Sequence, residues 1–514
     1  MNTHPFRPFF LPVLLASLGL TMTDRVTAQT LTILHVFTAS PNTNSSGSVT
    51  NSDGANPDGA LVLSGNALYG TASQGGSGGN GTVFKVNTDG TSFTNLYTFT
   101  PSPPPGYGNS DGANPEAGLV LSGNTLYGAA DTRGVHQSGT LFALNTNGTS
   151  FTNLYSFTAT SGSPNYANSD GEDPDAGLLL SGNTLYGTTY NGGVFGGGAV
   201  FKVNTNGTSF LNLHSFAAIS YYPNNTNSDG GNPSSVLVLS GNTLYGTTDS
   251  GGTNGNGTVF RVNTDSTGFT NLHIFTANSN SPYSNSDGAL PEAGLILSGD
   301  TLYGTAVRGG SGNNGTVFSI NTNGTGFTTL HSFAAGGYDS ISGSETNSDG
   351  ANPYAGLLLS GNTLFGTTGA GGSSGSGAVF EINTNGTGFT TLYYFTPLSA
   401  PYYNAGTNAD GALPRGSLIL SGNTLYGTTV YGGSSGNGTV FALSVPLPSL
   451  EITSAGSQIV LSWPTNATGF ALQSTTNLTS GSWSNVTSGI ATIGSNYVYT
   501  NTPSGTSGFF RLKQ

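Results

Sequence analysis

The chain has 514 residues, of which only 6% are charged, with 81 glycines, no cysteine and a formal net charge of −13. The missing cysteines exclude disulfides, thiolate metal sites and thiol nucleophiles, and ten Lys and Arg over such a length argue against binding to nucleic acid or an anionic membrane. An apolar share of 35% with 28 Phe and 23 Tyr is too aromatic for a disordered chain; the glycines suit short strands joined by tight turns.

Residues Phe9 to Met22 form an apolar run after Arg7, and Val26-Thr27-Ala28 offers the small residues a signal peptidase reads. Residues 1–28 are expected to be a signal peptide, because the run is shorter than the ~20 residues of a spanning helix. No later stretch is apolar enough to span, so the mature chain is expected to be secreted or at the cell surface, without a membrane span.

From Leu31 a repeat begins. The string L-S-G-N-T-L-Y-G-T, or a close variant, starts at Leu63, Leu121, Leu180, Leu239, Leu297, Leu359 and Leu420. An Asp-Gly lies 16 residues before the aromatic residue of each copy (Asp53, Asp111, Asp170, Asp229, Asp287, Asp349, Asp410). The Phe of T-V-F or its variants follows that aromatic residue by 15, and in the first six units a closing Phe lies 15 further on. In the third unit the pattern predicts strands at Gly177–Leu180, Thr184–Thr189, Ala199–Val203 and Phe210–Phe216. Gly182-Asn183 makes a tight hairpin turn between the first two.

Seven four-stranded antiparallel meanders with no helical pattern between them predict a seven-bladed β-propeller, since radial closure protects sheet edges. The seventh unit lacks a fourth strand, while Leu31 to Phe37 has the fourth-strand pattern and no blade of its own. The offset predicts a composite last blade closed by the N-terminal strand.

Repeats of the form S-D-G-A-N-P…G-L-x-L-S-G-N-T-L-Y-G-T-T…G-x-G-T-V-F-x-[IV]-N-T-x-G resemble the bacterial GloVer-type tandem repeat, over about residues 31 to 445. The resemblance implies an exported, propeller-like protein and brings neither a catalytic residue nor a ligand. In its Gly pairs the repeat is also similar in style to kelch propellers, though its motifs run in another order.

The propeller is expected to occupy residues 29–447 and a small β domain residues 448–514. Ile459 to Pro464 and Gly469 to Gln473 resemble the second and third strands of a fibronectin type III-like sandwich, and Phe509 to Leu512 a closing strand. A tail of 67 residues is short for about seven strands, so a trimmed sandwich is expected.

Chemistry is thinner. His35, His214, His273 and His331 occupy a fourth-strand position that holds Tyr97, Tyr155 and Tyr393 in other units, which marks a structural slot. Neither a metalloprotease, a serine-hydrolase nor a phosphate-loop motif is present, and no catalytic residue is assigned. The repeated N-S-D-G raises Ca²⁺, but the residue following each nearby proline varies too much to complete a coordination shell: Asp58, Glu116, Asp175, Ser234, Glu292, Tyr354, Arg415. The Asp is therefore expected to cap backbone N–H groups, and no cofactor or metal is expected.

In such a meander the two-three loops and the blade-to-blade connections share one face, and all the length variation lies there. Six of those connections carry tyrosine, giving candidate ligand-binding residues Tyr107, Tyr166, Tyr221, Tyr222, Tyr283, Tyr338, Tyr402 and Tyr403. The expected function is a monomeric, non-catalytic binding or scaffolding protein for an extracellular glycan or protein. The alternative is a polysaccharide hydrolase or lyase, which needs clustered symmetry-breaking side chains. Those here, Arg133, His136, Glu172, Asp173, Arg308, Glu345 and Arg415, come from different units with no evident cluster.

Overall fold

The computed structural model describes residues 29–44, 47–102, 108–162, 166–220, 225–278, 284–339, 344–400, 406–445, 450–464, 470–478, 482–494, 496–502 and 508–513. The signal-peptide expectation thus lies outside the described residues. Those described form strands, turns and bends without a helix, and the repeats build propeller-like sheets.

The third repeat gives the pattern. Leu179–Ser181, Thr184–Thr189, Ala199–Asn204 and Leu211–Ser215 pair in that order, antiparallel. Ser181 faces Thr184 across the two-residue turn, where Gly182 has φ +59°, a conformation open to glycine. The glycine of Leu-Tyr-Gly has a packing reason instead. A Cβ on Gly187 would stand 2.6 Å from Phe201 Cζ and 2.9 Å from Leu178 Cδ2, so the absent side chain lets the Phe ring cross the sheet.

Five further sheets repeat this order, with first strands opening at Val62, Val120, Val238, Ile296 and Leu358. In the repeat ending at Ser444, Ile419–Ser421, Thr424–Thr429 and Thr439–Ser444 supply three strands, and the fourth is Leu31–Val36, antiparallel to Thr439–Ser444. Two-stranded hairpins, Asn42–Thr43 with Val49–Thr50 and Gly337–Asp339 with Ser344–Thr346, sit in the two longest connections.

Adjacent sheets are joined by apolar cores. One core unites Tyr186, Val200 and Phe216 of the third sheet with Leu237, Leu244 and Phe260 of the fourth. Another unites Leu34, Phe37, Tyr426 and Val440 with Leu61, Leu68 and Phe84 of the first. Each fully buried Phe contributes about 1.5–3 kcal/mol by its burial. Hydroxyls add a second tie: Thr247 Oγ1 donates to Ala293 O at 3.0 Å, and Thr428 Oγ1 to Gly59 O at 3.3 Å. The second sheet has Ala129 at this position and no hydroxyl to donate.

The fourth-strand slot and the Asp-Gly turn are one device. His273 Nε2 lies 2.9 Å from Asp287 Oδ2, Tyr155 Oη donates to Asp170 Oδ2 at 2.8 Å, and the same Asp residues accept from the N–H and hydroxyl of Thr276 and Thr158. The slot ring also stacks on a phenylalanine of the next repeat, His273 on Phe327 at 3.8 Å.

The C-terminal residues form two antiparallel sheets. One orders Glu451–Ala455, Gln458–Pro464, Asn496–Asn501 and Ile490–Ile493; the other orders Ser484–Asn485, Ala471–Thr475 and Phe509–Lys513. Leu461, Trp463 and Leu472 fill the space between them. Seven strands lie among the described residues of this short tail.

Candidate functional site

Each repeat turns sharply just before its first strand. The residue before the proline is held at positive φ in all seven repeats: Asn56, Asn114, Asp173, Asn232, Leu290, Asn352 and Leu413 lie between +55° and +57°. Left-handed backbone is uncommon for Asn and strained for Leu, so the surrounding structure must impose it. Two contacts do so. The N–H of this residue donates to a carbonyl of the preceding sheet, as from Asp173 to Ser138 (3.3 Å), Leu290 to Asn256 (3.0 Å) and Asn56 to Asn437 (3.0 Å). The proline Cδ then packs where a glycine of that sheet has no Cβ, Pro174 on Gly139 and Pro57 on Gly438.

The residue after the proline is thereby turned inward. Asp58, Glu116, Asp175, Ser234, Glu292, Tyr354 and Arg415 line one cavity of about 370 Å³, walled otherwise by the Ala, Gly and Leu residues that follow them and by Val236 and Ser417. One side chain comes from each of the seven sheets. Their variety weakened the Ca²⁺ reading; their position now makes them the candidate site. Among the described residues no group of His, Cys, Asp and Glu is arranged to hold a metal ion.

The cavity is predominantly acidic. Arg415 Nη1 stands 3.7 Å from Asp58 Oδ2, and its guanidinium lies over the Tyr354 ring at 4.4 Å. Tyr354 in turn lies where Gly369 lacks a side chain. Burial works against the Arg415 charge, but Asp58, Tyr354, Glu292 and Tyr431 together outweigh it and hold the pKa above its ordinary value. Asp58 itself is raised, by burial, with Arg415 opposing.

Asp131, Asp173 and Asp249 act electrostatically on this lining. Burial, then the neighbouring Asp58, pushes Glu116 up to about 7. Burial, then Asp249, pushes Glu292 up to about 7, and burial with Asp173 and Glu116 pushes Asp131 up to about 8. Asp175 is raised well above the carboxylate range by burial and by Asp131 and Glu116. Asp249 accepts from Tyr190 Oη at 3.0 Å, and Asp173 from Asn191 Nδ2 at 2.8 Å. Oδ1 of Asp175, Oδ1 of Asp249 and Nε of Arg415 are buried with no hydrogen-bond partner. Perturbed carboxylates around a concave, partly unsatisfied site are what ligand-binding and catalytic centres have in common.

Of the symmetry-breaking residues singled out in the sequence, Arg415 lines the cavity. Asp173 and Glu172 act electrostatically on its acidic wall, and Arg308 on Glu292. Arg133 and the exposed His136 belong to a glycine-rich loop, and Glu345 pairs with Tyr338 in a connecting hairpin. Tyr166 is 59% exposed. Tyr338 is described through its backbone alone, and Tyr107, Tyr221, Tyr222, Tyr283, Tyr402 and Tyr403 lie outside the described residues. Beside the Tyr166 connection, Val194 and Phe195 are exposed over a mainly apolar depression of about 250 Å³ with Ala167, Ala217 and Ala218.

The chain belongs to the Gloeobacter/Verrucomicrobia repeat family, whose profile matches residues 22–168, 164–345 and 219–405. No curated protein matches it. Among solved structures it is similar to an oligogalacturonate lyase from Vibrio parahaemolyticus, with 10% identity, 82% of this chain and 97% of that one covered, and a TM-score of 0.44. It is also similar to the N-terminal domain of Nup159 (11% identity, 81% and 96% covered, TM-score 0.41) and to TolB from Acinetobacter baumannii (12%, 79% and 76%, TM-score 0.32). Likenesses this distant carry no inference about activity.

Proposed function

We propose that the chain is an exported, monomeric seven-bladed β-propeller, closed by its N-terminal strand, that binds an extracellular glycan or protein without transforming it. The ring reading is supported by the pairing of Leu31–Val36 with Thr439–Ser444 and by the bonds from Asn56 and Thr428 that tie the seventh sheet to the first. The C-terminal unit is read as a fibronectin type III-like sandwich on its two sheets and buried Trp463.

One observation carries the binding reading. Along a repeat whose scaffold residues scarcely change, the position after the proline holds Asp, Glu, Ser, Tyr or Arg, and all seven copies meet in one cavity. A purely structural ring has no need of that variety. The position precedes the first strand, on the same side as the variable connections, so the cavity and the exposed Tyr166 share the variable face.

A glycan array with the mature protein tests this, followed by calorimetry on the best ligand with wild type and Ser234→Trp. The indole should obstruct the cavity and weaken binding at least about tenfold. Full binding by the obstructed variant counts against the cavity as the site. The hydrolase or lyase reading draws on Glu116 and Glu292, whose values of about 7 suit a proton donor near neutrality. Release of reducing ends or unsaturated sugars from array-positive glycans would favour it.

A further inference from the structure

The wall of the cavity is unbalanced in charge and unsatisfied in hydrogen bonding. Glu116 and Asp175 enter from the second and third sheets; Asp131, Glu116 and Asp173 all act on Asp175, while Arg415, the one cation among the described lining residues, acts on Glu116. Oδ1 of Asp175 is buried and accepts no hydrogen bond. A buried carboxyl oxygen without a hydrogen bond costs stability, and ionising it beside a second carboxyl would add repulsion. Arg415 spends one guanidinium nitrogen on Asp58 and its face on Tyr354, leaving Nε a buried donor without an acceptor.

Resting on the reading of the cavity as a binding site, we infer that it takes an amino sugar bearing a free ammonium group. The ammonium sits between Glu116 and Asp175, and a sugar hydroxyl or ring oxygen accepts from Arg415 Nε. A single ligand then satisfies both orphaned atoms. A uronic acid brings its charge to the acidic side chains and is repelled; an N-acetylated sugar offers an amide N–H and no charge to offset the two carboxylates. Placing a cation beside these carboxyls favours their ionised forms, so binding near neutral pH releases protons.

Calorimetry with the mature full-length protein, near neutral pH and in two buffers of different ionisation enthalpy, compares trimers of glucosamine, N-acetylglucosamine and galacturonic acid. The glucosamine trimer is expected to bind at least about tenfold more tightly than the other two, with heats that reveal proton release. Asp175→Asn should cut that preference about tenfold while leaving the fold intact by circular dichroism, since the amide matches the neutral carboxyl in shape but cannot ionise beside the ammonium; Glu116→Gln serves as the second variant. A preference shared with trilysine makes the ammonium alone the recognised group and discards the sugar. Equal binding of the acetylated trimer, or tighter binding of galacturonate, overturns the inference and leaves a glycan-binding cavity standing. Binding that survives Ser234→Trp removes the cavity reading as well.

Discussion

His273 and Asp287, fourteen residues apart, are joined by a 2.9 Å contact that locks the end of one sheet to the connection that leads into the next. The carboxylate also takes the N–H and hydroxyl of Thr276, so one side chain closes the connection at three points. Burial disfavours the Asp287 anion, but the bonds from His273 and Thr276 outweigh it and hold its carboxyl below the ordinary range; Asp53 behaves alike with His35 and Thr38. Tyr97, Tyr155 and Tyr393 make the equivalent bond in other repeats, which is why phenol and imidazole alternate there.

The first prediction follows from that interchange. His273→Tyr should keep the bond and the stacking on Phe327, and change stability by less than about 1 kcal/mol. His273→Ala or Asp287→Ala strands buried partners and should cost about 2–3 kcal/mol in urea denaturation. Because Asp287 and Asp53 titrate below their unfolded value, the unfolded chain binds more protons near pH 4. Their contribution is therefore complete above about pH 4 and is lost as pH falls through the lower folded values. An Asp287→Ala variant should lose stability on acidification less steeply than wild type.

The second prediction concerns the N-terminal strand. Phe37 is fully buried against Phe84, centroids 5.3 Å apart, in a core shared with Tyr426 and Val440. Phe37→Ala should cost about 3–5 kcal/mol, and deletion of residues 31–37 should lower Tm far more, leaving Thr439–Ser444 with an unpaired edge. An unchanged Tm after deletion would mean that the strand is dispensable.

Much of this scaffold was legible in the chain. The hairpin around Gly182-Asn183 and the strand at Thr184–Thr189 follow from periodicity. The Asp was rightly expected to cap backbone N–H groups, but its bond to the slot ring was not foreseen, because the pairing depends on how the connection folds back. The cavity was harder. Asp58, Glu116, Asp175 and Arg415 looked like scatter in a turn, and nothing in a Leu-Pro pair announces that Leu290 and Leu413 adopt left-handed backbone. That conformation is imposed by the preceding sheet, and only it turns the next side chain toward a common centre.

The third prediction is a pH effect of opposite sign. Glu116, Glu292 and Asp131 titrate at about 7 to 8 in the folded chain, against about 4 when unfolded, so the folded state holds more protons in between. Their neutral forms stabilise the fold at low pH, and that advantage is lost as pH rises toward 8. Glu116→Gln, neutral at every pH, should match wild type near pH 5 and exceed it near pH 8, by urea denaturation at both. A stability difference independent of pH would show that Glu116 is ionised throughout.

The last prediction separates two roles for the tyrosines of the variable face. A ring that packs its connection onto the sheet is buried, whereas Tyr166 is 59% exposed and sits at φ +43°, where a side chain is disfavoured. Its N–H donates to Gly162 O at 3.0 Å, so the backbone already closes the turn. Tyr166→Ala should therefore change stability by less than about 0.5 kcal/mol, and Tyr166→Gly should be neutral or stabilising by up to about 1 kcal/mol as the left-handed strain is relieved. Both should weaken a ligand that extends from the cavity onto this face, because an exposed ring with a free hydroxyl is suited to a wet interface. Loss of several kcal/mol with unaltered binding would show instead that Tyr166 only orders its loop.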